Sequence, residues 1–107
     1  MYTRYLWNIF NLDSMTTLTQ EHEIWKFNLS STVEMPIGAQ ILSVQFQNNA
    51  LTIWAICNIN AGKENRFFET LGTGWKAVSL TEGEKKVHLS TVQDGGFVWH
   101  IFEIVKS

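Results

Sequence analysis

One cysteine, Cys57, and one proline, Pro36, are all that 107 residues contain of either type. A single thiol excludes an intrachain disulfide, and with it the bridge-stapled folds of small secreted domains; a reducing cytoplasm is the setting this usage fits. Charge is also scarce, at 17% of residues where a typical domain has about 25%. The eight Lys and Arg are scattered and the net charge is −2, so the basic footprint of a nucleic-acid binder is missing. No run approaches the roughly 20 apolar residues of a membrane helix. MYTRYLWNIFNL at the start lacks the uncharged centre and small-residue cleavage site of a signal peptide. Neither nucleic acid nor membrane is therefore expected as a partner. His22, His88, His100 and Cys57 show no ligand spacing, neither CxxC nor HxxxH, so no metal and no cofactor is expected.

Aromatic residues are what the chain has in quantity: five Trp, seven Phe and two Tyr. Such rigid apolar area either fills a core or anchors a partner. With 45% apolar residues the chain is long enough for one core and too short for two domains. Tyr2, Tyr5, Leu6, Ile9 and Phe10 lie at helical spacing, which predicts a short N-terminal helix. Residues 1–20 read as a helical and linker extension, with Met15 as an alternative start. Residues 21–107 read as a single antiparallel β domain.

From residue 22 the period becomes two. Trp25, Phe27 and Leu29 alternate with Lys26, Asn28 and Ser30, as in a strand with one wet face. The lone Pro36 and Gly38 mark residues 32–38 as a bend. QILSVQFQ places Leu42, Val44 and Phe46 on one face, and Asn48-Asn49 turns it into ALTIWAIC. In that second arm Leu51, Ile53, Ala55 and Cys57 face one way and Trp54 and Ile56 the other, the pattern of a central strand. NINAGKEN is a polar loop, RFFETL a fourth strand, and residues 72–84 a Gly- and Thr-rich connection with a turn of helix expected near 76–80. KKVHLSTV alternates Val87, Leu89 and Thr91 against Lys86, His88 and Ser90. Asp94-Gly95-Gly96 then joins it to FVWHIFEIV as a hairpin. The fold expected is mainly β (α+β): about six antiparallel strands in a meander, a small sandwich or a barrel-like sheet, with the N-terminal helix attached.

Met35-Pro36, Gly38-Ala39, Ile41-Leu42-Ser43-Val44-Gln45, Trp54, Gly72-Thr73-Gly74 and Val98-Trp99-His100 together resemble an uncharacterised family of small phage and prophage proteins over residues 24–104. That resemblance carries no catalytic assignment. It implies an origin in a viral or prophage gene acting in a bacterial host cytoplasm.

His100 is the first residue that invites chemistry. Alternation puts it with Val98, Phe102 and Ile104, away from Glu103, and no nucleophile or acid falls within reach by pattern. A satisfied cross-strand histidine is the plainer reading. Gly72-Thr73-Gly74 lacks the third glycine of a dinucleotide fingerprint and the Lys-Ser or Lys-Thr of a phosphate loop; it reads as a tight turn. Trp75 beside those glycines is an aromatic on a loop. With Arg66, Gly72, Thr73, Gly74, Lys76 and His100 it forms the candidate set for contact with a partner or small ligand. Glu82-Gly83-Glu84-Lys85-Lys86 reads as a turn of solvated charges.

With no catalytic constellation, the first expectation is a non-enzymatic protein–protein interaction module, a phage accessory factor acting on a host or phage protein, for example by inhibiting a host-defence system. The alternative is a small protein that captures a nucleotide-like ligand with the GTG loop. Unpaired loop amides around a concave, positive pocket would favour the ligand; an exposed Trp and Phe patch would favour the protein. Two-faced apolar strands also lead to the expectation of a homodimer.

Overall fold

The computed structural model describes residues 18–106. The helix expected across Tyr2 to Phe10 lies outside them. The described residues form seven strands and no helix: β1 (His22–Asn28), β2 (Thr32–Pro36), β3 (Gln40–Gln47), β4 (Ala50–Asn58), β5 (Lys63–Gly72), β6 (Glu84–Asp94) and β7 (Phe97–Lys106). They make two antiparallel sheets, one ordered β1-β4-β3 and the other β2-β5-β7-β6. Two open sheets facing one another make a sandwich rather than a meander. The turn of helix expected near residues 76–80 is absent; that stretch has no regular secondary structure.

Local chemistry explains the turns. Asn48 and Asn49 adopt φ of 53° and 65°, the left-handed pair that lets a two-residue hairpin follow the strand twist. Gln47 and Ala50 are accordingly direct partners. Asp94 pairs with Phe97 across Gly95 and Gly96, with Gly95 at φ 60°.

Strand β2, read from sequence as a bend, is a strand because the ribbon of β1 changes sheets. Leu29 N–H still bonds to Leu51 in the first sheet, while two residues later Ser31 accepts from Phe68 in the second. Alternation from that bond directs the amide positions of residues 32, 34 and 36 to the free edge, where the missing N–H of Pro36 does no harm.

The core lies between the layers. Ile53, Ala55 and Cys57 of β4 face Val33, Met35, Phe68, Val92 and Ile101 of the other sheet, with Val44 beside them and Trp25, Phe27 and Leu29 at the flank. This is the inward face expected for β1 and β4. Burial pushes the Cys57 thiol above its ordinary pKa, so it stays a small apolar residue.

Two bulges break the expected alternation. One lies between Ile41 and Ser43, the other between His88 and Ser90. Each inserts one residue and reverses the phase of what precedes it. Ile41, not Leu42, therefore packs inward with Val44 and Phe46, and Leu42 is exposed. Past Leu89 the inward residues are Ser90 and Val92, and Thr91 faces out. The bulged strands are neighbours across the sandwich: Ser90 Oγ donates to Val44 C=O at 3.0 Å, tying layer to layer.

Strands β5 and β6 run in the same direction on either side of β7. The connection between them, residues 73–83, must therefore cross β7. It does so on the outer face of the sheet.

Candidate functional site

Three constellations on the second sheet hold the chemistry-bearing side chains. The first is an aromatic cluster where β5 and the β6–β7 hairpin end. Trp99 lies edge-on to Trp75 (ring centroids 5.3 Å, 88°) and near-parallel to Phe97 (5.8 Å, 19°). Edge-to-face and offset-parallel pairs are the favoured aromatic geometries. Trp75 reaches this place because Gly72 has no side chain: a Cβ there would stand 2.9 Å from the indole. Although packed on one side, Trp75 is 60% exposed and Phe97 64%.

The Gly72-Thr73-Gly74 turn is closed on itself. Thr73 N–H bonds to Val98 C=O and Trp75 N–H to Gly72 C=O, with Gly74 at φ 89°. Thr73 Oγ1 also lies 2.8 Å from His100 Nε2, whose Nδ1 is 3.1 Å from Thr91 Oγ1; that hydroxyl in turn lies 2.9 Å from His88 Nε2. His100 sits on the face predicted for it, opposite Thr91 and Leu71, and both its nitrogens are engaged by hydroxyls. This network fixes the turn to the sheet.

The second constellation is at the opposite end of β5, about 20 Å from Gly72 at a strand's rise per residue, so Arg66 is not part of the Trp75 cluster. Pairing of β5 with β7 stops at Phe67 and Ile104, while β5 continues alongside β2 and β7 alongside β6. The sheet forks, and a cleft of about 760 Å³ opens there, lined by Ala39, Glu64, Arg66, Phe67, Glu103 and Lys106 among others. Arg66 spans its root. Nε and Nη2 donate to the two oxygens of Glu103 at 2.6 and 2.8 Å, and Nη1 donates to Ala39 C=O. The bond to Glu103 raises the guanidinium pKa above its ordinary value against the opposing effect of burial.

The third constellation lies under residues 73–83. Lys86 was expected to be a solvated turn charge; instead its ammonium meets Glu69 Oε1 at 2.5 Å, their side chains 15% and 7% exposed. Glu69 Oε2 accepts the N–H of Val78 at 2.7 Å, and Lys86 donates to the C=O of the same residue. Burial pushes the Glu69 carboxyl up, but Lys86 and the Val78 amide outweigh it and hold the group below its ordinary range. Glu84 is likewise held low by the Thr81 amide, at the end of the same segment.

Of the predicted site residues, Gly72, Thr73, Gly74, Trp75 and His100 come together; Lys76 follows on the crossing segment and Arg66 stands apart. Sequence reading missed Phe97, Glu69, Glu103 and the engaged state of Lys86. A signal existed for two of them: Glu69 and Glu103 each sit inside an otherwise apolar strand, FFETL and IFEIV, where a carboxylate requires a partner. Among the described residues no group of His, Cys, Asp and Glu could hold a metal ion, and no helix is long and apolar enough to cross a membrane.

No curated protein and no solved structure matches the chain. A family model described as a domain of unknown function, DUF7352, matches residues 20–107. The match starts just before β1 and takes in both sheets, so the uncharacterised family suggested by the motifs has a definite form: the chain belongs to the DUF7352 family.

Proposed function

We propose that the chain is a non-enzymatic interaction module, a small phage or prophage accessory protein whose aromatic end docks on another protein. A host factor, such as a component of a defence system, is the partner class that the phage resemblance suggests. The observation that supports this reading is the pair of largely exposed rings, Trp75 and Phe97, anchored on Trp99. Aromatic side chains held rigidly at a surface lose little entropy on binding and dominate interface energetics. The GTG turn gives the competing ligand reading little support, because the amides of Thr73 and Trp75 are already bonded within the protein.

The test compares tagged wild type with a Trp75→Ser/Phe97→Ser variant as bait in host lysate. A protein retained by the wild type and lost by an equally stable variant supports the proposal; identical retained sets count against it. A second reading, capture of a small ligand, finds its support in the cleft at the fork, whose charged lining is Lys106 and the Glu103-paired Arg66 together with Glu64 and Glu84. Thermal-shift screening with nucleotides distinguishes it, since a hit there would be abolished by changes at the fork and untouched by Trp75→Ser.

Homodimer formation is proposed separately. Its support is on the first sheet, where Ile24 and Leu42 are exposed near Trp54 and Ile56. Sedimentation that gives a monomer at high micromolar concentration would remove it.

A further inference from the structure

We propose that the middle of the β5–β6 connection, residues 76–80, forms a latched strap, which opens from the outer face of the second sheet between the two end turns when the clasp of Glu69 and Lys86 on Val78 is released. Three observations carry the inference. The segment crosses β7 with every residue exposed, so no buried side chain of its own holds it down. Glycines with left-handed backbone stand near both ends, Gly74 at φ 89° and Gly83 at φ 82°. Among the described residues, the hydrogen bonds between residues 76–80 and the sheet are the two made by Val78.

The clasp has a polarity. Glu69 on β5 accepts from the Val78 N–H, Lys86 on β6 donates to the Val78 C=O, and the two side chains meet each other across β7. One peptide-bonded residue is thus held as a neighbouring strand would hold it, with side chains in place of backbone. Local turns close the ends: Trp75 N–H to Gly72 C=O on one side, and at the other Thr81 N–H to Glu84 Oε1 with Glu84 N–H to Thr81 C=O. Those turns keep their own bonds when the middle lifts, which makes an opening between them inexpensive compared with unfolding. The lift is confined to the residues between the two turns, so Trp75 keeps its place on Gly72 and Trp99 while the segment that follows it opens.

Hydrogen exchange read by mass spectrometry on the full chain tests this. Lys86→Met should speed exchange in peptides covering 75–82 by about tenfold or more while β4 and β7 keep wild-type rates, the signature of a local opening. Glu69→Leu, which removes the acceptor of the Val78 N–H and keeps that amide as the reporter, should do the same, and it stands in should Lys86→Met fail to fold. The exchange variant Glu69→Lys/Lys86→Glu restores opposite charges but turns the donor toward the N–H and the acceptor toward the C=O, so the strap should stay fast. Wild-type protection of the strap in Lys86→Met or Glu69→Leu overturns the proposal. So does equal acceleration of β4 and β7, or recovery of protection in the exchange variant.

Discussion

Strand β5 carries two ion pairs three residues apart on opposite faces, and they serve different ends. Arg66 points between the layers and grips both Glu103 on β7 and the carbonyl of Ala39 in the β2–β3 turn. Glu69 points out and, with Lys86, grips the backbone of a crossing segment. Both pairs neutralise charge at little-exposed positions; what differs is the third group each one holds. Arg66 fastens elements of the sandwich itself, so its loss is felt by the whole fold. Glu69 and Lys86 fasten a segment that can lift and let water reach them. Removing one partner of a buried pair is harmful because the other is left without solvation, and the harm is limited wherever solvent can return locally.

Breaking the inner pair should have the largest effect. Arg66→Met leaves the Glu103 carboxylate without its cation and should lower unfolding free energy by about 3–5 kcal/mol, read from urea titration; adding Glu103→Leu should recover most of that loss. A change below about 1 kcal/mol for Arg66→Met would erase the contrast between the faces. Next comes Gly72→Ala, which puts a methyl 2.9 Å from the Trp75 ring. It should destabilise by about 1–3 kcal/mol as an overpacked site and displace Trp75 with the clasp intact, visible as a changed near-ultraviolet circular dichroism band.

Breaking the outer pair with Lys86→Met should cost about 1–2 kcal/mol of global stability, because the strap opens before the sheets part. The outer pair should also respond to pH. Glu69 titrates below its ordinary value, so its contribution is complete above the unfolded pKa of about 4.3 and is lost as pH falls through the lower folded value. Strap protection, corrected for intrinsic exchange, should be level from neutral pH to about 5 and decline below about 4; a Glu69→Gln chain should lack that decline. The smallest effect belongs to His100→Gln, at about 0.5–1 kcal/mol for hydroxyl contacts at a partly exposed site. A large loss of partner capture in that variant would mean that His100 does more than fix the turn.

The faces of β1 and β4, the Asn48-Asn49 hairpin and the place of His100 were legible because period-two alternation and turn chemistry are local properties. What was not legible came from insertions and from distance. The bulges at Leu42 and Leu89 reverse the phase without any sequence mark, so Leu42, Ser90 and Thr91 were assigned to the wrong side. Strand β2 was hidden by Pro36, whose amide position falls on a free edge where proline is tolerated. Lys86 looked like a surface charge because Glu69, its partner, is 17 positions away and on a different strand. Arg66 was grouped with Trp75 on nearness in sequence, yet a straight strand carries the two to opposite ends. For the site itself, the aromatic loop was readable from composition; the clasp beneath it depends on a crossover that a meander would not contain.

Of the two strands paired on both sides in the larger sheet, β5 and β7, the second is the last of the seven to be synthesised. Until Phe97–Lys106 has been made, β5 has only β2 beside it, β6 has no neighbour within its sheet, and Ile101 is missing from the interior. A premature stop after the sixth strand would thus delete the middle of a layer rather than its rim, leaving two unzipped edges open to any passing chain. The larger sheet is therefore closed through its middle, and only once the last hairpin has formed.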